Sequence, residues 1–396
     1  MRRQPERAPE PVEEVLLLTG ATGFVGQEIL DRYLERSDRS VWALIRADGQ
    51  AEATKRLNEV LSSLSGEPGR YSERVSAVAG DVESPGLGLN EDQREALAGR
   101  VTDIVHAAAS VSFDMSLPQS RRINVDGARR MLDFAELCQR RGRGLRCFCH
   151  ISTAYVAGDH TGEFREDQLE VGQDFRNTYE RSKFEAERLV RARSNRLPTL
   201  VVRPSIVVGE RSTGWTSSFN VLYPPLKAFA RGAFPVLPAR RSTPVDVVPV
   251  DYVADAVLEL CEGRESTRGV YHLVAGKRAT TVGQVIEHTA RYFRRRPPRV
   301  VPPWIFERLL YPVLLRRAGE RQRRALERTE ALFPYFSMRA RFDDRRARAK
   351  LERAGVRAPS LESYFDRLLD FAVSARWGRS LPSRRDTLAQ TLGSVR

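Results

Sequence analysis

Tyr179 and Lys183 are the residues whose types and spacing best suit acid–base chemistry. They lie four positions apart in a segment with helical character, so both side chains fall on one helix face. An ammonium group beside a phenol stabilises the phenolate, which would lower the pKa of the tyrosine from about 10 toward the operating range. Ser152 and Thr153 follow an apolar strand-like stretch and would add a hydroxyl to the same pocket. A Tyr/Lys pair at this spacing is common on solvated helices. Whether it is catalytic therefore depends on the surrounding elements.

A glycine-rich turn near the N-terminus predicts a site for a pyrophosphate. An apolar run over 15–18 leads into Thr19-Gly-Ala-Thr-Gly-Phe-Val-Gly26, and a helical segment follows. Gly20 and Gly23 would let the main chain turn tightly against the ligand, and Gly26 would let the helix pack closely on the sheet. Backbone N–H groups at such a helix N-terminus suit phosphate oxygens. The spacing is not G-x-G-x-x-G, but together with the downstream Tyr/Lys pair it indicates nucleotide-dependent redox chemistry.

Short β-branched strands alternate with helices and predict an α/β fold, a doubly wound (Rossmann) parallel sheet. The predicted strands cover 15–18, 41–45, 75–79, 104–108, 146–151, 199–202 and 269–274. The predicted helices cover 24–36, 51–64, 124–140, 179–194, 251–260 and 361–375. We expect a dinucleotide-binding domain over 13–275 and a smaller, mainly helical C-terminal substrate lobe over 276–377, with substrate-lobe segments already from about residue 210. Residues 1–12 are predicted to be a disordered leader and 378–396 a flexible tail.

Composition narrows the function classes. The formal charge is +14 over 396 residues, mostly from arginine, and it suits a phosphate-rich small substrate or an anionic membrane surface. No nucleic-acid motif or basic–aromatic platform is present, so we expect no nucleic-acid partner. The four cysteines are too few and too irregular for a disulfide framework, and they predict a reducing, cytoplasmic setting without a metal site. No apolar run approaches the ~20 residues of a spanning helix, which leaves peripheral contact as the expected form of any membrane association.

Five motifs together resemble the extended short-chain dehydrogenase/reductases. These are the glycine loop 19–26, Ala79-Gly-Asp81, His106-Ala-Ala-Ala109, Asn124-Val-Asp-Gly127 and Arg203-Pro-Ser205, and the match covers about residues 13–275. The resemblance implies that Thr153, Tyr179 and Lys183 are the catalytic triad. It also implies that the cofactor is bound by Gly20, Thr22, Gly23, Phe24, Val25, Gly26, Arg46, Arg56, Asp81, Val82, Ala107, Ala108, Ala109, Asn124, Tyr179, Lys183, Pro204, Ser205 and Ile206.

Within that superfamily, three segments are most similar to fatty acyl-CoA reductases and to the thioester reductase domains of carboxylic acid reductases. They are 150–158, the stretch from Arg203 to Trp215, and 245–255. The likeness implies reduction of an acyl-CoA or acyl-carrier-protein thioester by NADPH to the aldehyde, and possible continuation to the primary alcohol. Arg46 at the end of the second strand and Arg56 would suit the 2′-phosphate of NADPH. The apolar, arginine-flanked segment 303–317 is predicted to border the acyl chain or to rest in a membrane interface.

Two other readings share the same motifs. One is another extended dehydrogenase, of the hydroxysteroid type or a nucleotide-sugar epimerase or dehydratase, which would act on an alcohol. The other is a non-enzymatic dinucleotide sensor, against which the intact Thr153, Tyr179 and Lys183 set argues. Neither acyl chain length nor oligomeric state follows from the sequence.

Overall fold

A central sheet of seven parallel strands organises the chain. The computed structural model describes residues 14–65, 69–232, 236–263, 268–312, 316, 319, 335 and 338–393. The sheet strands are β1 (Val15–Thr19), β2 (Ser40–Ile45), β3 (Val75–Ala79), β4 (Val101–His106), β5 (Cys147–Ile151), β7 (Thr199–Pro204) and β12 (Gly269–Leu273). Their order is β12-β7-β5-β4-β1-β2-β3, and every pairing is parallel.

Helices cover both faces of this sheet, so the predicted doubly wound architecture is confirmed. Those of the cofactor-binding half are α1 (Phe24–Arg36), α2 (Gln50–Ser65), α3 (Glu91–Ala98), α4 (Leu117–Arg121), α5 (Gly127–Arg141), α6 (Thr178–Ala192) and α8 (Val250–Glu262). One core cluster packs β1, β2 and β5 against α1 and α8, and another packs the opposite face against α5. None of the described helices is both long and apolar enough to cross a membrane.

Two boundaries differ from the sequence prediction because polar groups are buried inside regular elements. Strand β4 begins at Val101 and ends at His106, whereas a strand over 104–108 was predicted. Asp103 lies inside it and is 2% exposed, and its carboxylate pairs with Arg39 at 2.6 Å. The helix predicted over 124–140 is preceded by a π-helical turn, Arg122–Asp126, and α5 itself begins at Gly127.

The remaining described elements form a smaller lobe beside the sheet. Its strands are short: β6 (Gly162–Phe164), β8 (Ile206–Val208), β9 (Val236–Pro238), β10 (Pro244–Val245), β11 (Val247–Pro249), β13 (Thr280–Thr281), β14 (Arg299–Val301) and β15 (Ala340–Phe342). Its helices are α7 (Tyr223–Ala230), α9 (Val282–Tyr292), α10 (Pro303–Ile305), α11 (Arg345–Leu351) and α12 (Phe365–Ser374). A π-helical turn over Phe306–Leu310 continues α10. The leader over 1–12 and most of the predicted helical region 304–331 lie outside the described residues.

The C-terminal segment corrects the flexible tail predicted over 378–396. Arg384–Gly393 form helix α13, and the Arg384 side chain is buried. Its guanidinium contacts Asp31 at 2.6 Å and Glu28 at 3.2 Å on α1, and also Glu210. The polar composition of this segment suggested a frayed end. One of its arginines, Arg384, is instead the cation that pairs with buried carboxylates.

Arg384 should therefore contribute strongly to stability. Burial raises the pKa of Glu28 to about 8, against the lowering effect of Arg384. Arg384→Met would remove the guanidinium that contacts Glu210 and would leave Asp31 and Glu28 with Arg32 alone, and we expect a loss of about 3–5 kcal/mol in the free energy of unfolding. Urea denaturation followed by circular dichroism would measure it, with Arg379→Met on an exposed arginine as the control, expected to change stability by less than about 0.5 kcal/mol. Equal effects of the two variants would contradict the role of Arg384.

Candidate active site at the carboxyl edge of the sheet

The turns after β1 and β4 meet at the point where the strand order reverses. Because these two strands are neighbours, the Ala107 N–H donates to the Thr19 carbonyl at 3.2 Å and the Ala108 N–H to Thr19 Oγ1 at 3.1 Å. Gly20 adopts φ +78°, and a Cβ added there would lie 2.7 Å from the Ala108 nitrogen. The crevice at such a reversal is where open α/β sheets bind ligands.

Helix α1 begins directly after this turn. Gly23 is its N-cap and supplies no side-chain hydrogen bond, so the first N–H groups of the helix have no side-chain partner. A Cβ on Gly26 would lie 2.0 Å from the Gly20 carbonyl oxygen, which explains why the helix can start this close to the strand. Thr22 and Gly23 are exposed, whereas Phe24 and Val25 are half-buried. These features fit the backbone cradle that a dinucleotide pyrophosphate requires.

An open groove lies along the ends of β2 and β3. Arg46 and Asp81 both line it. Arg46 is highly exposed and pairs with Glu83 at 3.2 Å, and the Arg56 guanidinium donates to the Arg46 carbonyl. Asp81 accepts from the Glu83 N–H at 2.9 Å, which is a turn-forming contact. The groove is therefore accessible and lined by charges of both signs, and Val82 next to Asp81 packs close to Gly127.

Asn124 connects the β4 edge to helix α6. Its side-chain amide donates to the Ser110 carbonyl at 3.0 Å and to Ser182 Oγ at 2.9 Å, and its Oδ1 accepts from the Ser110 N–H at 2.8 Å. The residue is 2% exposed. Asn124 therefore fixes the chain after Ala109 against the helix that carries Tyr179 and Lys183.

Thr153, Tyr179 and Lys183 are brought together at the carboxyl end of β5. Thr153 follows the strand, and its hydroxyl hydrogen-bonds with the Tyr179 side chain and lies 3.4 Å from the Pro204 carbonyl. Burial by surrounding protein raises the pKa of Tyr179 to about 12, although the hydrogen bond from Thr153 acts in the opposite direction. The phenol is consequently protonated at neutral pH and can act as a donor.

Lys183 has a different position from the one the sequence argument assumed. Its Nζ donates to the Ile151 carbonyl at 2.6 Å, and it is absent from the groups that shift the pKa of Tyr179. The predicted lowering of the tyrosine pKa by Lys183 is therefore wrong, because burial raises that pKa. Burial lowers the pKa of Lys183 itself to about 8, partly offset by the carboxylate of Glu187.

Glu187 is the main residue of the site that the sequence argument missed. It is fully buried one turn after Lys183, and it accepts from Ser152 Oγ at 2.7 Å and from Arg203 Nη2 at 2.7 Å. The guanidinium of Arg203 holds the pKa of Glu187 below its usual range despite burial. The helical spacing Tyr179, Lys183, Glu187 was available as a signal, since all three share one face.

Buried histidines and cysteines lie beneath the same strand ends. Burial, with the positive charge of Lys183, lowers the pKa of His106 to about 3 and holds that of His150 well below its usual range, so both rings are neutral. Cys147 and Cys149 are buried core residues of β5. Within the described part of the chain, no group of three or more His, Cys, Asp or Glu side chains could hold a metal ion.

An apolar chamber opens beside the tyrosine. About 100 Å³ is free there for the centres of water-sized groups, and its lining includes Tyr155, Ile206, Leu226, Phe229, Ile286 and Phe306. Tyr335 also lines it and stacks on Phe113 at 5.7 Å, and Phe113 in turn packs against Tyr179 with ring centroids 6.0 Å apart. The chamber is therefore connected to Tyr179 through the rings of Tyr335 and Phe113, and most of its lining comes from the smaller lobe.

The segment Pro204, Ser205 and Ile206 joins the two parts of the site. Pro204 ends β7 beside Thr153, Ser205 is buried, and Ile206 begins β8 and lines the chamber. Of the segment 303–317 that was predicted to border an acyl chain, Phe306 reaches the chamber, while 313–315 lie outside the described residues.

Comparison with known proteins agrees with this architecture. The family model described as male sterility protein, an NAD-binding domain, matches residues 18–257. The chain therefore belongs to this family of extended short-chain dehydrogenase/reductases, as the motifs predicted.

Three proteins illustrate the likeness. Fatty acyl-CoA reductase 1 of Mus musculus is 29% identical over 322 residues, which cover 71% of this chain and 62% of the mouse protein. Fatty acyl-CoA reductase 1 of Arabidopsis thaliana is 24% identical over 353 residues, covering 72% of this chain and 71% of the plant protein. The terminal R domain of the myxalamid PKS-NRPS pathway superposes with a TM-score of 0.79 at 26% identity, covering 94% of each chain. The match thus spans less than two thirds of the mouse relative.

Proposed function

We propose that this protein is an NADPH-dependent reductase of acyl thioesters, either acyl-CoA or acyl-carrier protein. The product would be the aldehyde, with continuation to the primary alcohol if a second hydride follows. The observation that carries the proposal is an apolar chamber near Tyr179, whose phenol is kept protonated at neutral pH by burial. Sugar-nucleotide chemistry on the same fold would call for polar groups in that position, and the chamber offers almost none.

The residues of the site divide the work of thioester reduction. Bound NADPH would supply the hydride that adds to the thioester carbonyl carbon. Tyr179 donates its phenolic proton to the carbonyl oxygen as negative charge develops there, and Thr153 holds the phenol in place. Collapse of the resulting hemithioacetal breaks the carbon–sulfur bond, releases the thiol and leaves the aldehyde. Lys183 positions the end of β5 through the Ile151 carbonyl and provides positive charge below its pKa of about 8.

Cofactor choice would depend on the exposed arginine at the end of β2. A residue that recognises NAD at this position is usually acidic and accepts hydrogen bonds from the ribose hydroxyls. Arg46 instead presents a guanidinium, which suits a 2′-phosphate through charge-assisted hydrogen bonds. Its contact with Glu83 is exposed and therefore weak, so the side chain can turn to a phosphate at little cost.

The chamber would receive the acyl chain rather than the pantetheine arm of the thiol. A pantetheine arm carries two amides, and their burial without hydrogen-bond partners would cost several kcal/mol. We therefore propose that the chamber takes methylenes of the acyl chain, and a chain longer than the chamber would have to extend beyond it.

The first test removes the proton donor. Tyr179→Phe keeps the ring packing against Phe113 but deletes the hydroxyl, so turnover of an acyl-CoA with NADPH should fall by about a hundredfold or more. NADPH binding, measured by fluorescence titration, should be nearly unchanged. Near-normal turnover would remove Tyr179 from the proposed role, and mass spectrometry of the products would show whether the aldehyde or the alcohol is formed.

The second test concerns the 2′-phosphate. Arg46→Ala should raise the KM for NADPH by about tenfold while leaving that for NADH almost unaltered, because only NADPH carries the group that the guanidinium would bind. Arg122→Ala is a matched control, since Arg122 also contacts Glu83 at 3.2 Å. An equal change for both cofactors, or the same NADPH effect in the control, would contradict the assignment.

The third test narrows the chamber. Ile286→Phe adds bulk to the lining, and each methylene excluded from the chamber should lower kcat/KM by about fourfold, from about 0.8 kcal/mol of lost burial. We expect a series of acyl-CoAs to show a penalty that grows with chain length and is almost absent for a four-carbon chain. Ile286→Leu conserves volume and is the control. A loss that is the same at every chain length would show that the chain lies elsewhere.

A further inference from the structure

The far end of the chamber opens into a groove formed by arginines. Phe229 and Pro298 line both the chamber and this groove, whose other lining residues include Arg295, Arg296 and Arg299. These three arginines are exposed. We name Arg295, Arg296 and Arg299, with Phe229 and Pro298, the basic mouth. Tyr155 and Tyr335, the chamber residues on the side of Tyr179, do not line this groove.

Positive charge is concentrated at the basic mouth. No Asp or Glu occurs in the sequence between Glu287 and Glu307, whereas five arginines do, at 291, 294, 295, 296 and 299. The nearby carboxylates are otherwise engaged, since Glu287 pairs with Arg241, Asp366 with His288, and Asp370 accepts from the Tyr292 hydroxyl. Further positive charge lies on α7 and just beyond it, because burial, Arg231 and Arg379 together lower the pKa of Lys227.

Large apolar side chains stand exposed next to this charge. Trp304 is 61% exposed and Leu309 is 62% exposed, on either side of Phe306, which lines the chamber. Tryptophan and leucine beside arginines are the composition that interfacial segments use at the level of lipid headgroups. An acidic soluble protein could pair with the arginines. It would not offer Trp304 and Leu309 the apolar environment that a lipid bilayer offers.

We propose that the basic mouth docks on the surface of an anionic lipid bilayer, with Trp304 and Leu309 inserted at the interface. The apolar chamber would then open toward the acyl region of the bilayer, so that a chain longer than the chamber, or the released product, passes directly into lipid. This passage rests on the proposed reductase function, whereas docking itself depends only on the basic mouth and the two exposed side chains.

Vesicle sedimentation tests the docking. The probe is a vesicle of equal parts phosphatidylglycerol and phosphatidylcholine, compared with pure phosphatidylcholine. We expect the protein to bind only the anionic vesicle and to be released by added salt. The triple variant Arg295→Glu, Arg296→Glu, Arg299→Glu should bind at least about tenfold more weakly. The control is Arg143→Glu, Arg188→Glu, Arg196→Glu, which makes the same charge change at exposed arginines of the cofactor-binding half and should bind within about twofold of the parent protein.

A second measurement keeps the proposal testable if the triple variant folds poorly. Lipids brominated in the acyl chain should quench Trp304 fluorescence, and Trp304→Phe should abolish that quenching, since Trp215 is buried and Trp42 and Trp377 are half-buried. Absence of binding to anionic vesicles, equal binding to neutral vesicles, equal loss in both triple variants, or quenching that survives Trp304→Phe would each overturn the proposal.

The two proposals can fail separately. Reduction of a short, soluble acyl-CoA by the basic-mouth variant should equal that of the parent protein, because its chain ends within the chamber. Vesicle binding without any thioester reduction would refute the proposed function and leave docking intact. If the variant instead lost activity on acyl-carrier protein while the parent protein bound no vesicles, the basic mouth would be a protein-binding site and the bilayer proposal would be wrong.

Discussion

The parallel pairing of β1 with β4 is the constraint on which the site depends. It brings the turn after Thr19 against the turn after His106 with no space for a side chain at Gly20, where a Cβ would lie 2.7 Å from the Ala108 nitrogen. Helix α1 can begin beside that turn only because Gly26 also lacks a Cβ. The position of the α1 N-terminus at the carboxyl edge of the sheet follows from this close approach.

Two buried ionic groups connect the rest of the molecule to this arrangement. Glu187 and Arg203 join helix α6 to β7, so that the helix carrying Tyr179 is fixed relative to the sheet. Arg384 joins the C-terminal helix to α1 and Glu210. Each group is enclosed by protein, where removal of one partner costs far more than its surface equivalent would. The C-terminal helix and α1 are therefore connected by buried charges.

The sequence was sufficient to predict the sheet, because each strand is a short apolar run and the runs are separated by helical segments. It was also sufficient to bring Thr153, Tyr179 and Lys183 to one edge, since carboxyl ends of parallel strands share a side. It failed where buried polar residues form part of the core. Asp103 inside β4 and Arg384 in the C-terminal helix looked like surface residues, because their partners, Arg39 and Asp31, are distant in sequence. The chamber could not be predicted for a similar reason, since its lining comes from several separate segments.

The high pKa of Tyr179 bears on the direction of the proposed reaction, because it sets whether the phenol carries its proton. A phenol with a pKa of about 12 holds its proton throughout the neutral range, which is the state required to protonate a developing oxyanion. An alcohol dehydrogenase working in the oxidative direction needs the opposite state, a phenolate that accepts a proton. Lys183 would favour that state only if its ammonium turned from the Ile151 carbonyl toward the phenol, which costs a 2.6 Å hydrogen bond in a buried setting. The protonated phenol therefore supports the proposed reduction, and the apolar chamber near it supports the proposal that an acyl group is reduced.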